Sequence, residues 1–121
     1  MGMNLQEKLQ TKRFVITAEV TPPVTADRNE VLAKALPLKG LADAVNITDG
    51  AGARPHLGAV TAAAMLVAEG SEPVLQLTCR DRNRIALQSD LLSAAACGVH
   101  NLLMLRGDNP KVAEVGLCLQ Q

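Results

Sequence analysis

Four short apolar segments alternate along the chain with segments of helical pattern, and this alternation limits the chain to an α/β fold. The predicted strands are largely continuous apolar runs over residues 14–20, 42–48, 74–79 and 101–105. A strand buried on both faces is continuously apolar, whereas a half-solvated strand alternates apolar and polar residues. The pattern therefore predicts a parallel sheet that helices cover on both faces.

Helices are predicted between these strands. The first begins near Arg28, because Asp27 is a favourable N-cap residue, and Pro37 ends or kinks it. The second begins at about Pro55 or Leu57 and ends at Glu69. These helices join consecutive strands, as parallel pairing requires.

The third helix follows the third strand, and its expected limits are set by a cap and a glycine. Asp81 is the predicted N-cap and Gly98 the predicted stop. With this helix the chain alternates strand and helix throughout. Both a barrel and a doubly wound sheet fit that alternation.

Composition excludes several classes of protein. The chain of 121 residues has 12 Lys+Arg against 12 Asp+Glu, and only 1% of its residues are aromatic. Nucleic-acid binders need a basic surface and often aromatic stacking, so nucleic acid is not an expected partner. No stretch approaches the ~20 apolar residues of a membrane span. The N-terminus lacks the apolar core of a signal peptide, so we expect a cytoplasmic protein without membrane contact.

The cysteines are odd in number, and their spacing fits neither a redox pair nor a zinc site. Cys79, Cys97 and Cys118 are therefore predicted to be free thiols in a reducing compartment. His56 and His100 are predicted to be helix-end or surface residues. We expect no metal site.

Polar or glycine residues follow each predicted strand. The carboxyl ends of parallel strands lie at one edge of the sheet, where ligands bind in both α/β architectures. Glu19 lies near the end of the first strand, where burial favours the protonated form of a carboxylic acid and gives a proton donor. The alternative is a glutamate that turns to solvent. Gly107, between Arg106 and Asp108, permits close approach of a ligand, and an ion pair at the rim is the alternative there.

Four motifs at these strand ends together resemble the N-terminal half of the methylenetetrahydrofolate reductase family. In chain order they are FVITAEVTPP over 14–23, DAVNITDG over 43–50, LTCRD over 77–81 and LRGD over 105–108. The resemblance covers roughly residues 13–111 and implies a (β/α)8 TIM barrel. Such a barrel needs roughly 250 residues, so the single domain 1–121 holds about the first four β/α units, with an atypical tail over 112–121.

The resemblance also implies an activity. The family reduces 5,10-methylenetetrahydrofolate to 5-methyltetrahydrofolate with FAD and a reduced nicotinamide, in one-carbon metabolism and methionine biosynthesis. Glu19 matches the acid that protonates the folate so that its five-membered ring opens. Asp108 matches the aspartate that stabilises positive charge developing on the folate and tunes the flavin. The resemblance implies further flavin contacts from Thr48, Gln76, Leu105, Arg106 and Gly107.

Three alternatives stay open beside this assignment. A truncated non-catalytic fragment or a folate- or flavin-binding module is one, because half of the barrel lies outside the sequence. A flavin-independent reductase is another, because Gln76 replaces a histidine found in some members. A half-barrel that pairs with a second copy is the third. A homo-oligomer is expected, since two unpaired parallel strand edges need cover.

Overall fold

The chain forms a four-stranded parallel sheet with helices between the strands. This computed structural model describes residues 2–11 and 13–110. The strands, in spatial order, are β1 (Thr17–Val20), β2 (Ala44–Ile47), β3 (Pro73–Thr78) and β4 (Asn101–Leu105). The α-helices are α1 (Leu5–Gln10), α2 (Arg28–Ala35), α3 (Ala59–Ala68) and α4 (Arg84–Ala96), with 3₁₀ turns at Leu36–Leu38 and Ala51–Ala53. No helix in these described ranges has the length and apolar character needed to cross a membrane.

The predicted α/β class is confirmed, and the strand order narrows the architecture. All three neighbouring strand pairs are parallel, and spatial order follows sequence order. A doubly wound sheet reverses its strand order at a switch point, and the described strands contain no such reversal. The arrangement is compatible with part of a (β/α)8 barrel. The tail over 112–121 lies outside the described residues.

The apolar core lies on one face of the sheet, beneath α2, α3 and α4. Ile47 and Leu75 of the sheet and Leu66 of α3 are 0% exposed. The sheet-facing side of α3 carries the small residues Ala59, Ala62 and Ala63, which are also fully buried. Small side chains let the helix backbone approach the strands closely. Burying each large apolar side chain stabilises the fold by about 1.5–3 kcal/mol.

The opposite face of the sheet is partly open, so the expectation of helices on both faces is wrong for the described residues. Side chains two residues apart on a strand share a face. Asn46 and Val74, which are register partners, are only half-buried on this side. The cause is that α2, α3 and α4 all contribute to the core on the same face. On the edge strand β4 both faces are exposed: Leu103 and Leu105 are 44% and 36% exposed, and Leu102 and Met104 on the core face are 43% and 49% exposed.

The first strand begins later than its apolar run predicts. Phe14 is 86% exposed and Ile16 is 53% exposed, and the ladder to β2 starts at Thr17. The Ile16 amide instead donates to Asp43 Oδ2 at 2.9 Å. This hydrogen bond and one from Lys8 lower the pKa of Asp43 below its ordinary value. The Ile16 carbonyl also accepts a hydrogen bond from the Asp43 amide at 2.7 Å, so contact with this segment continues one residue before the register with β2 begins.

Helix α2 begins and ends where the sequence predicts, whereas helix α3 begins later than predicted. The Asp27 side chain accepts a hydrogen bond from the Asn29 amide at 2.9 Å, so the start of α2 is confirmed. Pro37 lies in the 3₁₀ turn that ends this helix, as predicted. Helix α3 begins at Ala59, later than predicted, after an extended segment. The N-terminal helix α1 was not among the predicted elements.

The predicted cap of α4 is wrong. Asn83, not Asp81, is the N-cap residue, and its side chain accepts a hydrogen bond from the Ala86 amide at 2.9 Å. Asp81 has a positive φ of 65° and lies two residues too early. Its carboxylate accepts a hydrogen bond from Arg80 instead.

The cap assignment predicts a stability difference. Asn83→Ala should lower the free energy of unfolding by about 1 kcal/mol, because the Ala86 amide loses its acceptor. Ser89→Ala, on the exposed side of the same helix, should change it by less than about 0.5 kcal/mol. Urea denaturation of the three proteins measures both. Equal stability of Asn83→Ala and the unsubstituted chain would contradict the assignment.

Candidate functional site

The carboxyl ends of the four strands, together with the loops after β2 and β4, line an open cleft at one edge of the sheet. Its volume is about 450 Å³. The lining residues are Glu19, Thr48, Asp49, Ala51, Gln76, Thr78, Leu105, Arg106, Gly107 and Asp108. The fold therefore brings together in one place all seven residues to which the family resemblance assigns a role, which are Glu19, Thr48, Gln76, Leu105, Arg106, Gly107 and Asp108. Strand ends from all four strands contribute to it.

Glu19 and Gln76 meet across the middle of the sheet. Gln76 is 9% exposed, and its Nε2 donates to Glu19 Oε2 at 3.3 Å, although β2 lies between their strands. Glu19 itself is exposed, so the expected burial of this carboxyl is wrong. Glu19 is exposed because it lies on the edge strand β1 and on the open face of the sheet. The contact with Gln76 directs the carboxyl group into the cleft.

Thr48 presents a buried hydroxyl without a partner. The residue follows β2 directly and is 8% exposed. Its Oγ1 has no hydrogen-bond partner among the described residues. Leaving such a group unsatisfied costs about 1–3 kcal/mol. A polar ligand in the cleft would recover that energy.

Asp108 is held at two points by the neighbouring loops. Its Oδ2 accepts a hydrogen bond from the Gly52 amide at 2.7 Å. Its main-chain oxygen accepts a second from Arg80 Nη1 at 3.0 Å. The carboxylate therefore has a defined position at the edge of the cleft although the residue is exposed. Arg106 is also exposed, beside it on the same loop.

A buried charged pair supports the floor of the cleft. The Asp49 side chain is 8% exposed and pairs with Arg82. Asp49 Oδ2 also accepts hydrogen bonds from the Thr78 amide at 2.9 Å and from its hydroxyl at 3.0 Å. Burial by itself raises the pKa of Asp49, but the hydrogen bonds from Arg82 and Thr78 outweigh burial and hold the pKa below its ordinary value. The same pairing raises the pKa of Arg82.

Arg80 joins the loops that follow β2, β3 and β4. Its Nη2 donates to Gly50 O at 3.0 Å and its Nε to Asp81 Oδ2 at 2.8 Å, in addition to the bond with Asp108. The sequence places Arg80 among the polar residues that follow the third strand but assigns no role to Arg80 or Arg82. Arg80 does lie within the LTCRD motif, which was the one signal that could have marked it.

His56 is more than a helix-end residue. Its Nδ1 lies 2.8 Å from Pro22 O, and its Nε2 lies 3.0 Å from Ala51 O. The ring thus links the loop after β1 to the loop after β2 beside the cleft. His100, by contrast, is exposed.

The described residues contain no group of three or more His, Cys, Asp or Glu that could hold a metal ion. Cys79 and Cys97 are free and exposed. Cys118 lies outside the described residues. The side chains that line the cleft offer carboxyl, hydroxyl, amide and guanidinium groups.

Comparison with known proteins identifies the family. No curated protein sequence matches the chain. A family model described as methylenetetrahydrofolate reductase matches residues 4–117, nearly all of the 121 residues, and this range includes every residue that lines the cleft. The resemblance inferred from the four strand-end motifs is therefore confirmed. The chain belongs to the methylenetetrahydrofolate reductase family.

Proposed function

We propose that the cleft binds FAD and a folate, and that the chain reduces 5,10-methylenetetrahydrofolate to 5-methyltetrahydrofolate with a reduced nicotinamide. Family membership supports a folate-related oxidoreductase. The observation that carries the finer proposal is the convergence of Glu19, Thr48 and Asp108 on one cleft. These side chains supply a proton donor, an unsatisfied hydroxyl and a fixed negative charge.

The residues of the cleft fit a flavin. The edge of a flavin ring carries nitrogen and carbonyl oxygen acceptors, and the Thr48 hydroxyl is a buried donor without a partner among the described residues. Gly107 adopts a φ of +93°, a conformation that favours glycine. Thr48, Gln76 and the segment 105–107 would hold the ring. When bound, FAD supplies hydride transfer between the nicotinamide and the folate.

Glu19 acts as the proton donor in this proposal. Its Oε2 accepts the hydrogen bond from Gln76, which leaves Oε1 to carry the proton. From Oε1 the proton passes to the folate nitrogen whose bond to the one-carbon unit breaks. General acid catalysis of this kind contributes about 10²–10⁴-fold to a rate. Gln76 therefore orients the carboxyl as well as lining the cleft.

Asp108 acts through its charge. The Gly52 amide holds its carboxylate in place, so little reorganisation is needed when positive charge develops on the folate. A preorganised negative charge stabilises that transition state more strongly in a site from which the ligands exclude water. Asp108 and Glu19 thus have different tasks, one electrostatic and one in proton transfer.

A second candidate function is ligand binding without turnover. The exposure of both Glu19 and Asp108 favours it, because water in an open cleft weakens electrostatic stabilisation. This candidate shares the flavin and folate contacts with the first. It differs in predicting no oxidation of the nicotinamide.

Titration of the purified chain with FAD tests the proposal. We expect quenching of flavin fluorescence on binding, then oxidation of NADH or NADPH when 5,10-methylenetetrahydrofolate is added. Binding without oxidation would favour the second candidate. A chain that binds no FAD would overturn the flavin assignment, and folate reduction without bound flavin would support direct hydride transfer from the nicotinamide.

Thr48→Val is expected to weaken FAD binding by about tenfold. Valine has nearly the shape of threonine but lacks the hydroxyl, so one hydrogen bond worth ~1.4 kcal/mol is lost. Thr61→Val, at an exposed position on α3, is the matched control and should leave the affinity unchanged. Fluorescence titration gives the dissociation constants. Equal affinity for Thr48→Val and the unsubstituted chain would refute the contact.

A further inference from the structure

The guanidinium of Arg80 spans the space between two loops of the cleft. Its side chain is only 13% exposed. Nη2 donates to Gly50 O in the loop after β2, and Nη1 donates to Asp108 O in the loop after β4, each at 3.0 Å. The third donor, Nε, pairs with Asp81 on the loop of Arg80 itself. Because both outer acceptors are main-chain oxygens, this one side chain fixes the backbone of both loops.

Two glycines make room for this arrangement. A Cβ at Gly50 would lie 2.5 Å from Arg80 Nη2. A Cβ at Gly107 would lie 3.1 Å from Arg80 Cβ and 3.2 Å from Nη1. Both glycines also have positive φ, at 59° and 93°. The loops after β2 and β4 therefore pack directly against the arginine with their backbones.

The second connection between the same loops passes through the side chain of Asp108. Its Oδ2 accepts the hydrogen bond from the Gly52 amide at 2.7 Å. The loop after β4 is thus joined to the loop after β2 through Arg80 and also through this carboxylate.

We propose that Arg80 is a positioning residue that fixes Asp108 in the cleft by bracing the loop after β4 against the loop after β2. The expected effect of Arg80 on FAD binding rests on the proposed function. Arg80 does not line the 450 Å³ cleft. It acts through the placement of Asp108 and of the backbone at Gly107. A lysine cannot replace it fully, because a single ammonium group lacks the planar fork that reaches two carbonyl oxygens in fixed directions.

The test compares Arg80→Met and Arg80→Lys with the unsubstituted chain by two measurements. The first is FAD affinity by fluorescence titration, and we expect at least a tenfold loss for methionine and a smaller loss for lysine. The second is the NMR resonance of the Gly52 amide proton. A carboxylate acceptor shifts that resonance downfield, so release of Asp108 should move it upfield in Arg80→Met while most other resonances keep their positions.

Arg84→Met is the matched control. Arg84 lies exposed at the start of α4, so its replacement removes the same charge and leaves the same stem. We expect FAD affinity within twofold of the unsubstituted chain and an unchanged Gly52 resonance. Because Arg80→Lys keeps the charge and most of the packing, it keeps the test decisive if the methionine variant does not fold.

The outcomes separate this inference from the proposed function. If the unsubstituted chain binds FAD and both Arg80 variants bind it equally well with an unmoved Gly52 resonance, the positioning role is wrong and the proposed function stands. If the unsubstituted chain binds no FAD, the flavin assignment is wrong. In that case the Gly52 resonance alone decides whether Arg80 fixes Asp108.

Discussion

Replacing Asp49 by asparagine is expected to lower the free energy of unfolding by about 2 kcal/mol, because hydrogen bonds to a charged and largely buried carboxylate are lost. The Asp49 side chain is 8% exposed and that of Arg82 is 19% exposed. Asparagine keeps the shape but replaces one of the two acceptor oxygens by an NH₂ group, whereas Oδ2 of the carboxylate accepts hydrogen bonds from Thr78 and Oδ1 accepts one from Arg82. Arg82 would then keep Asp90 as its carboxylate partner. Urea denaturation monitored by circular dichroism measures the loss.

Asp27→Asn is the matched control for that substitution. Asp27 is an exposed N-cap residue, and asparagine caps helices about as well as aspartate. We expect a change of less than about 0.5 kcal/mol. If the two variants lose the same stability, the ion pair contributes nothing specific and the expectation for Asp49 is wrong.

The stability difference should also depend on pH. Burial by itself raises the pKa of Asp49, but hydrogen bonds from Arg82 and Thr78 outweigh burial and hold the pKa below its ordinary value of 3.8. A carboxyl with a lower pKa in the folded chain stabilises the fold above the unfolded pKa, and this contribution is lost as pH falls through the folded pKa. The difference between the unsubstituted chain and Asp49→Asn should therefore be constant above about pH 5 and shrink under acidic conditions. Denaturation at a series of pH values measures it.

Glu19→Gln is expected to lower folate reduction by about 10²–10⁴-fold in the FAD-loaded chain. Glutamine has the same size and can still meet Gln76, but it carries no transferable proton. Reduction of the bound flavin by the nicotinamide should continue at its original rate, because that half-reaction needs no proton from Glu19. Stopped-flow absorbance follows flavin reduction and then flavin reoxidation by 5,10-methylenetetrahydrofolate.

Glu30→Gln is the matched control for Glu19→Gln. Glu30 is exposed in the first turn of α2, away from the residues that line the cleft, so both half-reactions should be unaffected. A Glu19→Gln variant that reduces folate as fast as its parent would show that the proton comes from another group. Loss of both half-reactions in Glu19→Gln would instead indicate damage to flavin binding.

The sequence was a good guide to where strands lie and a poorer guide to where they begin. The limits of β4 at Asn101–Leu105 agree with the prediction. The run that begins at Phe14 is as apolar as a strand, yet pairing starts only at Thr17, where a partner on β2 exists. An apolar run indicates that one segment can form a strand, whereas a strand in a sheet also needs a second segment with which it can pair.

The composition of the cleft could be predicted because it depends on chain direction. In a parallel sheet every strand delivers its following loop to the same edge, so Thr48 and Asp108 had to lie at the same edge once the strands were found. The exposure of Glu19 could not be predicted in this way. It depends on which face of the sheet the helices cover, and α2, α3 and α4 all pack on the other face.

The sequence by itself determined the family, the α/β class and the set of residues at the carboxyl ends of the strands, because these are carried by local motifs and by the direction of the chain. Only the tertiary structure decided that Arg82 pairs with Asp49, 33 residues away, and that Arg80 braces Gly50 against Asp108. Those partners lie on different loops. Their contacts arise from the distance and angle between loops after the strands pair, which no local pattern of residues encodes.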